Sequence, residues 1–572
     1  MTRTIAPAIL LAFIAIGTGL NLDTVPAHAT ELSSATTADL ILKNGKIQTD
    51  HDAGKVWSQA LSIRQGNIMS IGTNAAIEKE RGPTTKVVDL KGRLVLPGFN
   101  DAHVHFLNGG LALTRIDLSD VKTVVKLQEK IKTYFVANPL KRWMFGAGLD
   151  QSKFAGQKYP TKEDLDAAIT EKPIMLWFAD YHAAIVNSKA LSILKIEDEA
   201  VNATGILFGN AAHAAAAKVD NPSRDELKQA FKLAQEAAAK NGVTSVQGGP
   251  FRGEDEVKVV EELFNSNQLS VRYSMWGNLE NAEEFLSLKE EYKHLPTDWI
   301  RFEALKGYLD GVLSARTAAL LEPYSDSSKT AGIPSFAQPK LNELVLAANR
   351  QGLPVVLHAA GDRAASMAIT AFSNARHLLF NSRVRNRVEH LEVVPGYVYD
   401  KFRELGLVAG IQPSHMVYEN EAQNFTEARL GARSSRIRNT FAWRSFFTAR
   451  AHVAFGTDWP VMPFNPMLGL FGAVQRQHLN GRPSSGWQPH QKITLEQAIE
   501  AYTLGSAYAT REEHVKGTLR EGKYADIVVL EKDVFKTRAK EWLNIPIHMT
   551  IVNGKIVYDG SQPRLEAAPA KE

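Results

Sequence analysis

Eight short candidate strands in the middle of the chain, most of them apolar, set the strongest limit on its fold. They occupy residues 94–105, 243–247, 271–276, 300–306, 355–358, 387–390, 408–412 and 452–458. Most are joined by helix-like segments. One helix is marked at both ends. Ser223 and Glu226 form a capping box, Leu227, Phe231 and Ala234 share one face, and Gly242 stops it. Thr494 and Gln497 open another helix in the same way. Eight strands alternating with helices predict an α/β fold, a (β/α)8 TIM barrel over residues 94–106 and 241–514.

The two ends of the chain resemble each other. Ala38-Asp39-Leu40-Ile41-Leu42 precedes the pair Asn44-Gly45, and Ala525-Asp526-Ile527-Val528-Val529 precedes Asn553-Gly554. Asn and Gly both accept positive φ, so each pair predicts a tight hairpin between β-branched runs. A small β-sandwich built from residues 30–93 and 515–565 is expected, with the barrel inserted in its middle. The stretch 107–240, between the first and second barrel strands, is too long for a bare loop. It carries its own strand-like run at 174–178 and is expected as an insertion over the barrel mouth.

A length of 572 residues suggests two or three domains, and 44% hydrophobic residues suffice for a large core. The net charge of +4 comes without a dense basic cluster interleaved with aromatics, which argues against a nucleic-acid partner. There are no cysteines, so disulfides, thiolate metal sites and cysteine nucleophiles are excluded. Any metal must be held by His, carboxylate or a modified lysine.

At the N-terminus Arg3 precedes an uncharged apolar run, residues 5–20, and then Ala27-His28-Ala29. This is the pattern of a secretory signal over residues 1–29, with an uncleaved anchor helix as the alternative. No later stretch is apolar for long enough to cross a bilayer. A soluble, exported protein, periplasmic or secreted, is expected, without a stable membrane anchor. A homo-oligomer is compatible with the sequence.

In such barrels the chemistry sits at the C-terminal ends of the strands. The first run ends on Asp101-Ala102-His103-Val104-His105, and strand alternation points His103 and His105 the same way. The later runs end on or near Lys306, His358, His390 and Asp458. A lone strand-end histidine is ordinarily structural. Four histidines, a lysine and an aspartate at the strand ends of one barrel predict a metal site.

At these motifs the sequence resembles the amidohydrolase superfamily, and within it the YtcJ-like group that includes N-substituted formamide deformylases. The matching stretches are Leu96-Pro97-Gly98-Phe99-Asn100-Asp101-Ala102-His103-Val104-His105, Lys306 to Gly311, His358-Ala359-Ala360-Gly361-Asp362-Arg363, Arg387-Val388-Glu389-His390, Gly456-Thr457-Asp458-Trp459-Pro460 and Gly522-Lys523-Tyr524-Ala525-Asp526. The resemblance implies that His103 and His105 hold a first divalent ion and His358 and His390 a second. It implies that Asp458 binds the first ion and acts as general base. It also implies that Lys306 is carbamylated and bridges the two; unmodified, its ammonium has no lone pair to offer and could be a salt-bridging group near Asp310. Zinc is the default for such donors, manganese or iron would also fit, and one ion or two are expected, two if Lys306 is carbamylated. A bound divalent ion can lower the pKa of its water from 15.7 to about 7. The expected reaction is hydrolysis of a C–N bond, an amide or N-formyl group of a small molecule, by a metal-activated hydroxide.

Substrate contacts are expected from His182, Asp310, Arg316, His415 and Trp459. His182 lies in Asp180-Tyr181-His182, where the family usually has Asp-Gly-His, and packing within the insertion is its alternative role. Arg316 could grip a substrate carboxylate or pair with Asp310 or Glu322. His415 could stabilise an oxyanion, and Trp459 could form an apolar wall. Two other readings stay open: an esterase, lactonase or carbamate hydrolase on the same site, and a non-catalytic regulatory or binding protein on this scaffold.

Overall fold

The computed structural model describes residues 37–49, 57–139, 141–150, 153–154, 159–178, 183–219, 222–379, 384–418 and 420–561. The expected signal and His182 lie outside these residues. The barrel strands are β1 (Phe99–Asp101), β2 (Val243–Gly248), β3 (Arg272–Asn278), β4 (Ile300–Tyr308), β5 (Val355–Ala359), β6 (Arg387–His390), β7 (Val408–Ile411) and β8 (His452–Phe455). They form one parallel sheet in sequential order. Between β8 and β1 the sheet is closed by single bonds in place of a ladder. Ala102 N–H donates to Phe455 C=O at 2.9 Å, and Asp458 N–H donates to His103 C=O at 2.8 Å. This is the (β/α)8 barrel read from the apolar runs.

The first apolar run is not one strand. Leu94–Pro97 pairs antiparallel with Ile527–Leu530, and only Phe99–Asp101 pairs with β2. Gly98 is the pivot. A Cβ there would lie 2.3 Å from the Thr244 side chain, so only glycine lets the chain pass from one sheet to the next. His103 and His105 therefore follow the strand and do not alternate along it. The hairpin expected at Asn44-Gly45 is also absent. Asn44 does take φ 57°, but Leu40–Lys43 and Lys46–Gln48 belong to different sheets. Asn553-Gly554, with φ of 50° and 74°, does close a hairpin between Ile547–Val552 and Lys555–Asp559.

The sandwich has a four-stranded sheet, in the order Asn67–Gly72, Ala60–Arg64, Leu40–Lys43, Lys86–Asp89. Its six-stranded partner runs Lys555–Asp559, Ile547–Val552, Ile527–Leu530, Leu94–Pro97, Lys46–Gln48, Trp57–Ser58. Alternate residues of the two sheets meet in one core, with Leu42, Leu61 and Ile63 packed with Val95, Ile527 and Ile551. Between β1 and β2 a five-stranded sheet forms, with Ile174–Phe178 at its centre and cores of its own. Ahead of β2 the helix Arg224–Lys240 starts at the Ser223–Glu226 capping box and buries Leu227, Phe231 and Ala234. Among the described residues, no helix is long and apolar enough to cross a membrane.

A buried ion pair ties barrel to sandwich. Arg272 on β3 grips Asp526 through Nε at 2.6 Å and Nη2 at 3.1 Å, and Asp526 also accepts from Asn553 N–H. Asp526→Asn keeps the shape but removes the buried counter-charge, leaving the guanidinium only the more exposed Asp298 carboxylate at 3.6 Å. Breaking a buried pair in this way costs roughly 3–5 kcal/mol. Denaturant unfolding of D526N should show a loss of that size; a variant as stable as the parent would refute the role of this pair.

Candidate metal centre

The seam between β8 and β1 builds the centre of the site. Asp101, the last residue of β1, is buried and accepts from Thr457 Oγ1 at 2.6 Å and Thr457 N–H at 2.9 Å. Burial pushes its carboxyl up to about 7 against these hydrogen bonds. The turn after β1 is then pinned from both sides. Val104 N–H donates to Gln247 C=O at 3.0 Å and His105 N–H to Trp459 C=O at 2.8 Å. Gly456 is required by this closeness, because a Cβ there would lie 2.4 Å from the His103 nitrogen.

Each of the two histidines is anchored by one ring nitrogen and presents the other. His103 Nδ1 lies 2.8 Å from Glu389 Oε2, and His105 Nδ1 lies 2.6 Å from Gly249 C=O. Both anchors are acceptors, so each Nδ1 carries the proton and each Nε2 keeps a lone pair. The two Nε2 atoms lie 3.5 and 3.1 Å from Asp458 Oδ1. Donor atoms of His103, His105 and Asp458 all fall within 4.8 Å of one another, close enough to hold one metal ion. Asp458 Oδ1 is buried and takes no well-aligned hydrogen bond, as suits an atom that shares a cation with its neighbours. Anchoring the far nitrogen to a carboxylate or a backbone carbonyl is how proteins orient metal-binding imidazoles.

The electrostatics agree. Burial, and then the nearby Lys306 charge, push the His103 imidazole down to about 4, so it is neutral near pH 7. Burial alone would raise the Asp458 carboxyl, but the His103, His105 and His415 imidazoles gathered around it hold it well below the ordinary range. Asp458 at φ 63° and His390 at φ 72° are both left-handed non-glycine residues. Such backbone costs of order 1–3 kcal/mol per residue and gathers at functional sites.

The remaining residues of the expected set are placed as follows. His358 and His390 lie with ring centroids 4.1 Å apart, tilted at 51°, and His390 is 5.1 Å from His103. His358 Nε2 is already 3.0 Å from Gly311 C=O. Lys306 sits within β4, two residues before its end, with Nζ buried and no hydrogen-bond partner. It faces the rings of Trp276 at 5.4 Å and Tyr308 at 5.3 Å, and makes no salt bridge with Asp310. Burial lowers its amine to about 8 despite Glu389 and Asp458. His415 Nε2 is 3.4 Å from Asp458 Oδ2, at the heart of the site.

Three of the expected substrate contacts have partners within the protein. Asp310 accepts from Ala319, Ala360 and Gly361 N–H groups, so its carboxylate ties the loops after β4 and β5 together. Arg316 pairs with Asp326, through Nε at 3.1 Å and Nη2 at 2.7 Å, and not with Asp310 or Glu322. Trp459 is buried, stacked on Phe464 at 4.7 Å and pressed on Gly109, so it packs behind the site.

Sequence reasoning missed Glu389. It is fully buried and holds His103, Arg387 Nε at 2.9 Å and Gln412 Nε2 at 2.9 Å. Arg387 in turn reaches Gln247 Oε1 at 2.7 Å and Ala102 C=O at 2.8 Å. Burial raises the Glu389 carboxyl, but Arg387 and then His103 outweigh it and bring it to about 2. Two opposite charges two residues apart on a buried strand, next to His390, were the available signal.

The comparisons agree with this geometry. A family model described as "Amidohydrolase family" matches residues 86–558. The chain is 28% identical to Protein LONG AFTER FAR-RED 3 of Arabidopsis thaliana, over 91% of this chain and 92% of that one. It is 24% identical to an N-substituted formamide deformylase of Arthrobacter pascens, over 91% of this chain and 98% of that one. An uncharacterized metal-dependent hydrolase from Pyrococcus furiosus superposes with a TM-score of 0.73 at 27% identity, covering 86% of this chain and 99% of that one. A match that spans the barrel, the seam motifs and both parts of the sandwich places this chain in the amidohydrolase family.

Proposed function

We propose that this protein is an exported metal-dependent hydrolase that cuts a C–N bond, an amide or N-formyl group, of a small molecule. The observation that carries the reading is the convergence of His103, His105 and Asp458 with both far imidazole nitrogens anchored. The name of the Arthrobacter relative supports the bond type. The Arg3, apolar run and Ala27-His28-Ala29 pattern supports export. The five-stranded insertion is read as the cover that shapes the substrate's entry. Small-molecule substrates, and no nucleic acid or membrane partner, complete the proposal.

His103, His105 and Asp458 would hold the first ion, with zinc the default for this donor set. When bound, the ion supplies Lewis acidity and acidifies a water. The chain's own residues do the rest. Asp458 stays ionised, so it takes a proton from the attacking water and hands it to the leaving nitrogen. His415, beside Asp458, is placed to donate to the developing oxyanion. Lys306 is read as the site of carbamylation. Its neutral amine attacks CO2, an N–C bond forms, and a proton leaves. The cationic donor becomes a carboxylate that, with His358 and His390, could hold a second ion.

The first test is metal dependence. Chelation should abolish hydrolysis of simple amides and N-formyl amines, and added divalent ion should restore it. Asp458→Asn should lower kcat by at least about 100-fold with the fold intact by circular dichroism. Full activity in D458N, or in the metal-free protein, would overturn the reading.

Glu389→Gln removes the charge that orients His103. The expected effect is a 10- to 100-fold weaker metal affinity, of the order seen when such partners are lost, measured by competition with a chromophoric chelator. Unchanged affinity would show that Glu389 serves Arg387 alone.

The pH dependence follows from the imidazoles. They bind a cation only when neutral, and lowered pKa values carry the neutral form to lower pH. Metal should stay bound as the pH falls through about 6.5, the ordinary histidine value. It should leave nearer the values of about 4 for His103 and about 3 for His358. Metal content after equilibrium dialysis across this range checks it; half-loss at or above about 6.5 contradicts the assignment.

A further inference from the structure

A small cavity adjoins the candidate metal centre. It measures about 10 Å³ and is bounded by His390, Glu392, Gln412, His415 and Trp443 among others. That is room for about one water-sized group.

Two of its walls carry unmatched polar atoms. Gln412 Nε2 donates to Glu389 Oε2 at 2.9 Å, which fixes the amide, because only its N–H end can face a carboxylate. Gln412 Oε1 is then left buried without a hydrogen bond. Trp443 is 1% exposed, and its indole Nε1–H is likewise buried without a partner. Arg476 lies over its ring, with the guanidinium 4.7 Å from the centroid, which helps hold the indole in place. Buried polar groups are paired in native proteins, and an unpaired one marks a place where something else binds.

The two atoms differ in kind. Indole N–H only donates, and an amide oxygen only accepts. One small group satisfies both when it accepts and donates through one atom. A hydroxyl oxygen does this. A methyl does neither, a carbonyl cannot donate, and an ammonium cannot accept.

We propose that this cavity is a selectivity pocket for one hydroxyl group of the substrate, carried close to the scissile bond. The hydroxyl oxygen accepts from Trp443 Nε1–H and donates to Gln412 Oε1. The inference rests on the hydrolase reading of His103, His105 and Asp458, since the pocket is selective only if the reaction occurs beside it. Water has the same chemistry and is the competing source. A site built to pair a hydroxyl rejects an isostere without one far more strongly than it rejects a change in size.

The test uses an isosteric pair on the full, metal-loaded chain. N-benzylglycolamide and N-benzylpropionamide differ by hydroxyl against methyl. A kcat/KM at least about tenfold higher for the glycolamide, reduced to near parity in Trp443→Phe, supports the pocket. Equal rates for the two amides mean that the pocket holds water only, and overturn the proposal. If neither amide is hydrolysed, the hydrolase reading is judged by its own metal and D458N tests, and a binding measurement decides the pocket. In protein carrying 15N-tryptophan, the indole signal missing from W443F should shift on addition of glycolamide and not of propionamide. A signal indifferent to both, or moved equally by both, overturns it. This measurement needs neither metal nor a folded variant beyond the one spectrum used for assignment.

Discussion

The seam where β8 meets β1 is the constraint on which the candidate site depends. Asp101 and Thr457, 356 residues apart in sequence, are joined by two hydrogen bonds there. Those bonds put Asp458 beside His103 and His105. No ladder holds these two strands together, so the closure rests on single bonds and on Gly456, where any side chain would collide with His103. The same contacts that finish the barrel assemble the donors. Folding and site formation are one event at this place.

Around that seam the protein buries charge and then balances it. Glu389 and Arg387 are both nearly inaccessible, and each has its partners arranged within the barrel. Such a pair is weak evidence for stability, because desolvation offsets the attraction. Its value here is directional. Glu389 fixes which nitrogen of His103 is protonated and where the other one points. Lys306 is the exception, a buried amine with no hydrogen bond, flanked by aromatic rings. Burial lowers the amine to about 8, which raises the neutral, nucleophilic fraction present near pH 7.

Much of this was legible in the sequence, for physical reasons that can be named. Strands buried on both faces are largely apolar, so β2 to β8 appear as short runs, each correct to within a few residues, despite inward polar residues such as Gln247, Arg387 and Glu389. Capping boxes are local, so Ser223–Glu226 and Thr494–Gln497 were found. The failures were all questions of partner. Between Leu94 and His105 the change of sheet is marked only by Pro97-Gly98, which reads in the sequence as part of one continuous strand. Asn44-Gly45 has the backbone of a hairpin turn without the hairpin, because the turn residues set only the local φ. Arg316 was bound to find a carboxylate, but which one depended on how a loop folds back.

The sequence by itself determined the fold class, the order of the strands and the residue types at their C-terminal ends. Each of these follows from local patterning and from alternation along the chain. Tertiary structure alone decided which ring nitrogens face inward, that Asp310 ties loops, that Trp459 packs behind the site, and that Glu389 orients His103. It also decided that Gln412 and Trp443 meet at one small cavity. Those outcomes are set by atoms from strands far apart in sequence, brought within a few ångströms by barrel closure. A one-dimensional pattern carries the donors. Only closure in three dimensions aims them.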